Sequence, residues 1–258
     1  MYNPHVTLTQ GGGRKMAMII GLPCYNEQDN LHELIGSITA ACPNAKLFFV
    51  DDGSADDSAA IVEEYASENK DIYLIRHEQN MGLGKAMNTI LNHAADTYED
   101  EDVLITFDSD NTHTPGIAVA MMEKLYSENL DIVIASRYEK GGKELGLSPI
   151  RKLYSRGARL FCSVIFHIKN VKDYSCGYRA YRVSLLKELK QRYNGTIVDS
   201  SGFECMVEII NKCRKAKIKE YPLVLNYSLK KGESKMRPMK TILGYFRIAL
   251  RRERKPNA

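Results

Sequence analysis

The chain has 258 residues, 44% hydrophobic and 26% charged, with ordinary glycine and proline content. That composition excludes a disordered or fibrous chain, and the length suits one sizeable α/β domain, alone or with an appendage. The formal net charge is only +4, so the overall balance points to no nucleic-acid partner. Its distribution is uneven. Residues 230–255 hold ten Lys or Arg against two Glu, about +8, which leaves about −4 for the rest. A basic end of this kind suits phosphate or an anionic membrane surface.

The six cysteines, Cys24, Cys42, Cys162, Cys176, Cys205 and Cys213, form no C-x-x-C pair. Buried, reduced thiols are expected, not a zinc or disulfide framework. No run approaches ~18 apolar residues, so no membrane-spanning helix is expected. The first residues lack the charged-then-apolar order of a signal peptide. The expected setting is the cytoplasm, with peripheral attachment to the membrane's cytoplasmic face left open.

In chain order, residues 1–15 are polar, carry three glycines at 11–13, and predict a loose tail. A folded domain is expected over 16–235, followed by a basic amphipathic helix and tail over 236–258. Short β-rich runs fall at 16–22, 47–50, 72–75, 103–107 and 132–135. Helical spacing fills 30–41, 58–67, 84–95 and 116–127. Continuous apolar strands separated by helices predict a mostly parallel sheet with helices on both faces. Beyond Pro149 the rhythm changes. Helices are expected at 150–166, 184–190, 202–212 and 239–250, with strands at 177–181 and 218–225.

Parallel sheets bind ligands at the carboxyl ends of their strands. Four polar clusters follow predicted strands: 23–27, 51–56, 108–110 and 136–138. Asp108 and Asp110, one residue apart after a buried strand, can share a hard cation such as Mg²⁺ or Mn²⁺, which also takes diphosphate oxygens. An acidic turn before the helix after Pro115 is the plainer reading of Asp108-Ser109-Asp110. In Asp51-Asp52-Gly53-Ser54-Ala55-Asp56, Gly53 permits a tight turn, and Ser54 or Asp56 can cap the next helix. Asp51 or Asp52 is then free for a base or ribose. Pro23, Cys24, Tyr25, Asn26 and Glu27 either end a strand or form a shelf, with Tyr25 offering a face and Glu27 accepting hydroxyl hydrogen bonds. Asn80-Met81-Gly82-Leu83-Gly84-Lys85 lacks the full phosphate-loop spacing, yet glycines before a helix with Lys85 in its first turn suit a diphosphate.

Taken in order, these segments resemble family 2 glycosyltransferases of the GT-A fold, nearest to the dolichol- and polyprenol-phosphate mannose synthase type. The resemblance runs from about residue 16 to 235 and adds His113 and Pro115, Ser136-Arg137-Tyr138, 173–181, Gly202-Phe203-Glu204 and 232–235. It implies an inverting, metal-dependent transferase of GT-A architecture. The donor would be a nucleoside-diphosphate sugar, GDP-mannose or a UDP-sugar. The acceptor would be a polyprenyl phosphate or a similar phosphate-bearing molecule. By that resemblance Pro23, Tyr25, Glu27, Asp52, Lys85 and Ser109 hold the nucleotide sugar, and Asp108 and Asp110 the metal and diphosphate. Arg137, Arg151 and Ser155, with Lys235, hold the acceptor phosphate.

Two positions depart from the family pattern. Thr112 stands where the family usually has Gln, a better metal ligand, and Lys230 and Lys231 stand where it usually has Arg, which alone offers a bidentate fork. His113 reads as a ligand or as a structural hydrogen-bonding group. Two other readings remain. A hydroxyl acceptor would require a base, for which Asp173 and Glu204 are candidates, unless either forms a buried salt bridge with Arg179. A module that binds a nucleotide sugar without transferring it is the third.

Overall fold

The computed structural model describes residues 16–146, 149–227 and 238–250, with backbone alone at 149–154 and 238–240. The expected tail at 1–15, Lys230, Lys231, Lys235 and the basic stretch 251–258 lie outside the described residues.

Strands and helices alternate as the sequence predicts: β1 (Met18–Cys24), α1 (Gln28–Ala41), β2 (Lys46–Asp51), α2 (Ser58–Glu68), β3 (Ile72–Arg76), α3 (Leu83–Thr97), β4 (Val103–Thr106), α4 (Ile117–Ser127) and β5 (Ile132–Ser136). Then come β6 (Lys143–Leu145), α5 (Pro149–Ile165), β7 (Arg179–Arg182), α6 (Val183–Arg192), α7 (Cys205–Lys212), β8 (Ile218–Pro222), β9 (Val224–Asn226) and α8 (Pro238–Leu250). The main sheet has seven strands in the order β3-β2-β1-β4-β7-β5-β8. Every pairing is parallel except those of β7, which runs antiparallel to both β4 and β5. This is the expected α/β, GT-A-type architecture.

Burial explains why these runs become strands. Every residue of β4 and β5, and five consecutive residues of β2, are buried. Successive strand side chains point to opposite faces, so both faces of these strands are covered. Ile19, Ile20, Phe48, Phe49, Leu104 and Ile134 are fully enclosed. Each such side chain contributes about 1.5–3 kcal/mol through burial. The result is a rigid base for the loops at the sheet edge.

Two strand expectations need correction. The single strand expected at 218–225 divides into β8 and β9. Pro222 has no N–H of its own, the Leu223 N–H makes the last bond to β5 by donating to Ser136 O at 2.9 Å, and residues 224–226 pair with β6 instead. Strand β6, which pairs with β9 in a separate two-stranded sheet, was not expected; three residues of mostly exposed sequence carry no alternation to read.

All six cysteines are free and buried. Burial pushes the Cys42 thiol up to about 11 and Cys213 to about 12, so both stay protonated at neutral pH. Among the described residues no helix is long and apolar enough to cross a membrane.

Candidate active site

Because β1, β2 and β4 run parallel, the segments after them leave the sheet on one edge. β7 enters from that same edge, so residues 173–177 join them. Three groups of residues meet there.

The first group follows β1 and β2. The Asp52 N–H donates to Cys24 O at 2.8 Å, Asn26 N–H to Ser54 Oγ at 2.9 Å, and Glu27 N–H to Ser58 Oγ at 2.8 Å. These bonds stitch the Tyr25–Glu27 turn to the Asp51–Asp56 turn. Glu27 accepts from Asn30 Nδ2 at 2.6 Å, which fixes its carboxylate at the start of α1. Asp56, not Ser54, supports the start of α2, accepting the Ser58 N–H at 3.0 Å.

The adjacent aspartates differ in their duties, and neither is simply free as the sequence suggested. Asp51 accepts the Ser54 N–H and lies 3.5 Å from Arg76. Asp52 accepts from Met81 N at 3.0 Å and Gly82 N at 2.7 Å, and pairs with His77 Nδ1 at 2.7 Å. A carboxylate offers about four lone-pair positions, so Asp52 spends about half of its capacity on the 80–85 loop and a further position on His77. His77 was invisible to the sequence reading, since nothing in its neighbourhood marks it as a partner of Asp52.

That loop is tightly seated. Gly82 has φ +92° and Gly84 N–H donates to Ser201 O at 2.9 Å. A Cβ on Gly84 would overlap the Ser200 carbonyl oxygen. The 199–201 segment is itself held by Glu208, which accepts the Asp199 and Ser200 N–H groups and pairs with Lys212 at 2.8 Å. Lys85 follows in the first turn of α3, half-buried. Gly84→Ala is therefore expected to cost about 1–3 kcal/mol by overpacking and to weaken nucleotide binding. Denaturant unfolding and nucleotide titration check both, and an unchanged midpoint would contradict this account.

The second group follows β4. Ser109 Oγ donates to Pro23 O at 2.9 Å, which ties the acidic turn to the end of β1. Asp108, Asp110 and His113 each place one ligand atom within 4.8 Å of the others. Thr112 does not take the missing Gln's place: its hydroxyl donates to Asp110 at 2.6 Å and so orients that carboxylate. His113 is buried, with its ring edge-on to Tyr178 at 5.5 Å. Two carboxylates and an imidazole fit a divalent ion of the Mn²⁺ kind, and the carboxylates also fit Mg²⁺. An ion held by these three side chains would keep positions for a diphosphate.

The third group centres on Arg137, just beyond β5. Its Nε and Nη2 grip Asp173 at 2.7 and 2.6 Å, and Nη2 also donates to Ser175 at 2.8 Å. Nη1 donates to Tyr227 at 3.4 Å and lies 3.2 Å from Glu144. Asp173 is fully buried. Burial alone would raise its pKa, but Arg137 and backbone N–H groups hold it below the usual carboxylate value. The salt bridge weighed for Asp173 thus exists, with Arg137 in place of Arg179. Arg179 instead donates to the Cys176 and Tyr174 carbonyls, both at 2.8 Å. A buried carboxylate clamped by a guanidinium is poorly placed to take a proton. Glu204 sits at the N-cap of α7, accepting from Gly202 N at 3.4 Å.

Ser155 donates to Glu144 at 3.1 Å and shares a 2.6 Å hydrogen bond with Tyr138. Arg137 and Ser155 thus converge on one carboxylate. Glu144 and Tyr227 were missed by the sequence reading, because they come from segments far apart in the chain, and Ser175 was covered there only as part of the 173–181 segment. Arg151 lies in the first turns of α5, with its backbone alone described. Lys235 falls outside the described residues. The groups are linked: a Cβ on Gly177, two residues after Ser175, would stand 3.5 Å from Asp108 Oδ1.

A mostly parallel sheet with an acidic turn and two further polar turns gathered on one edge is the architecture expected of GT-A transferases. The family model "Glycosyl transferase family 2" matches residues 19–190, more than half of the chain. The chain belongs to that family and is a glycosyltransferase. It is similar to a dolichol-phosphate mannosyltransferase of Pyrococcus furiosus, with 31% identity over 90% of this chain and 62% of the relative. The chain thus spans somewhat under two thirds of that relative's length. It is also similar to the undecaprenyl-phosphate mannosyltransferase of Micrococcus luteus, with 27% identity over 86% of this chain and 88% of the relative. Among solved structures, the Mycobacterium tuberculosis glucosyl-3-phosphoglycerate synthase with Mn²⁺, UDP and glucosyl-3-phosphoglycerate superposes with a TM-score of 0.65 at 17% identity. That match covers 91% of this chain and 80% of the other. It supports the fold.

Proposed function

We propose that this chain transfers a sugar, with inversion, from a nucleoside-diphosphate sugar, GDP-mannose or a UDP-sugar, to a polyprenyl-phosphate-like acceptor. The observation that carries the reading is the placement of Asp108, Asp110 and His113 between a nucleotide shelf and an anion-binding arginine, all on one sheet edge. The named activities of the Pyrococcus and Micrococcus relatives support the acceptor class.

Tyr25, Glu27, Asp52 and Lys85, with Pro23 and Ser109, hold the nucleotide sugar. Asp108, Asp110 and His113 would hold a divalent cation, whose positive charge would offset the negative charge of the leaving diphosphate. At the other end, Arg137, Ser155, Arg151 and Lys235 receive the acceptor phosphate. Glu144 marks the place. It is an anion bound by Arg137 Nη1 and Ser155, donors that an acceptor phosphate would also use. A phosphate oxygen then attacks the anomeric carbon as the bond to the diphosphate breaks. The nucleophile is already anionic near neutral pH, so alignment replaces general-base catalysis. A hydroxyl acceptor would need a base, and the clamp on Asp173 argues against that candidate.

A thermal-shift series tests the donor half. GDP, UDP and their sugars are compared with and without Mn²⁺ or Mg²⁺. One base series, with metal, is expected to raise the Tm by about 5–10 °C at roughly a hundredfold excess over Kd. The acceptor half is read by incorporating label from that sugar into a polyprenyl phosphate. No stabilisation by any nucleotide, or transfer only to hydroxyl acceptors, would overturn the reading.

A further inference from the structure

The Arg137 guanidinium has two unlike edges. Nε and Nη2 hold Asp173 at 2.7 and 2.6 Å, and Asp173 is fully buried. That edge is a tight, two-pronged ion pair. Nη1 is held more loosely. It reaches Tyr227 at 3.4 Å, beyond the usual N–H···O range, and lies 3.2 Å from a Glu144 oxygen. That same oxygen accepts from Ser155 Oγ at 3.1 Å. Among the described side chains, two carboxylates thus share one guanidinium. Asp173 already balances the charge of Arg137, so Glu144 is the surplus anion. Its side chain is only 10% exposed. A surplus carboxylate in such a place costs stability unless the donors around it are built for an anion.

The strand that brings Glu144 there is lightly tethered. β6 has three residues, lies outside the main sheet and pairs with β9 alone. Lys143 and Leu145, on either side of Glu144, are exposed. Gly141 (φ +99°) and Gly146 (φ +76°) bracket the strand, in backbone conformations that glycine enters freely. A segment with so few bonds opens at lower cost than the core strands. Its withdrawal leaves the Arg137–Asp173 clamp intact.

An acceptor anion and the Glu144 carboxylate cannot hold Nη1 and Ser155 Oγ together. The tethered carboxylate is present at high effective concentration, so the affinity of any incoming anion falls with the fraction of molecules in which Glu144 is away. A phosphate monoester overcomes this with about −1.5 to −2 charge near neutral pH and three acceptor oxygens. A carboxylate or a phosphodiester, with a single charge, offers Arg137 little that Glu144 does not. We propose that Glu144 is a specificity-determining residue, an internal stand-in for the acceptor phosphate that admits monoesters and turns away singly charged anions. The assignment of this end to the acceptor rests on the transferase reading; the competition for Arg137 does not.

The test is calorimetric titration of the intact chain with methyl phosphate, a monoester, and dimethyl phosphate, a diester. Chelator, mildly alkaline pH and constant ionic strength are used throughout. Glu144→Gln keeps an oxygen for Ser155 but loses the charge that draws the side chain to Arg137. It should therefore fold and bind both anions more tightly, each by the same factor, at least about threefold. Glu144→Asp, one methylene short, should gain less, and it decides the matter if the glutamine variant is unstable. Unchanged affinities in the folded variants would overturn the proposal. So would a gain for the monoester alone, the mark of a Glu144 that stays in place and repels. In steady-state transfer to farnesyl phosphate, the acceptor KM of Glu144→Gln should fall by the same factor while the donor KM holds. An acceptor KM that rises would reduce Glu144 to a structural part and overturn the proposal. Tighter anion binding with no transfer from any nucleotide sugar would overturn the transferase reading and leave the internal stand-in standing.

Discussion

Replacing Asp108 and Asp110 together with alanine is expected to lower transfer at least about 10³-fold, because the proposed cation and its diphosphate would lose both carboxylates. The fold should survive. Ser109 keeps its bond to Pro23, and removing two neighbouring negative charges relieves repulsion that a cation otherwise offsets. The Thr112 N–H and hydroxyl lose Asp110 as their acceptor, so a Tm moderately below wild type in metal-free buffer is the expected companion result. Mn²⁺ binding, followed by electron paramagnetic resonance, should disappear with the activity. Persistence of both would remove the acidic turn from the mechanism.

Arg137→Ala is expected to destabilise the protein as well as inactivate it. The substitution leaves Asp173, fully buried, without its two-pronged cation. Stranding a buried charge in this way costs about 3–5 kcal/mol, which lowers the Tm by about 6–20 °C for a domain of this size. The pH dependence has a definite sign. The folded Asp173 pKa lies below its ordinary 3.8, since Arg137 and hydrogen bonds outweigh the effect of burial. A depressed carboxyl adds stability above its ordinary value and loses it as pH falls through the folded value. The wild-type advantage over Arg137→Ala should therefore be full at neutral pH and shrink below about pH 4. In the variant only the N–H and hydroxyl donors around Asp173 oppose burial, so falling pH should harm the variant less than the wild type. Paired melting curves across pH measure this, and a constant difference between the two proteins would refute the ion-pair account.

Much of the architecture was legible because buried parallel strands leave plain apolar runs. Phe48, Phe49, Leu104 and Ile134 advertise their positions, and the polar segments after them fall on one edge by topology. The Asp108–Asp110 turn was legible for the same reason. Partner choice was not. Arg179 is only six residues from Asp173, yet Asp173 pairs with Arg137, thirty-six residues away. The antiparallel entry of β7 decides this, and no local pattern announces it. Likewise, two adjacent aspartates look equivalent in sequence. Only the return of the 80–85 loop gives Asp52 its N–H partners and leaves Asp51 to its own turn. The Glu208–Lys212 pair could have been found, since the two residues are four apart on a helix.

The antiparallel strand between β4 and β5 has one more effect. Thr106, two residues before Asp108, is laddered to Arg179, and Ile134, three residues before Arg137, is laddered to that same residue. The span across which a sugar would travel is thereby gauged by interstrand bonds in a dry interior. Thermal agitation of the rim can vary the entrance while the gap between the two ends stays nearly constant.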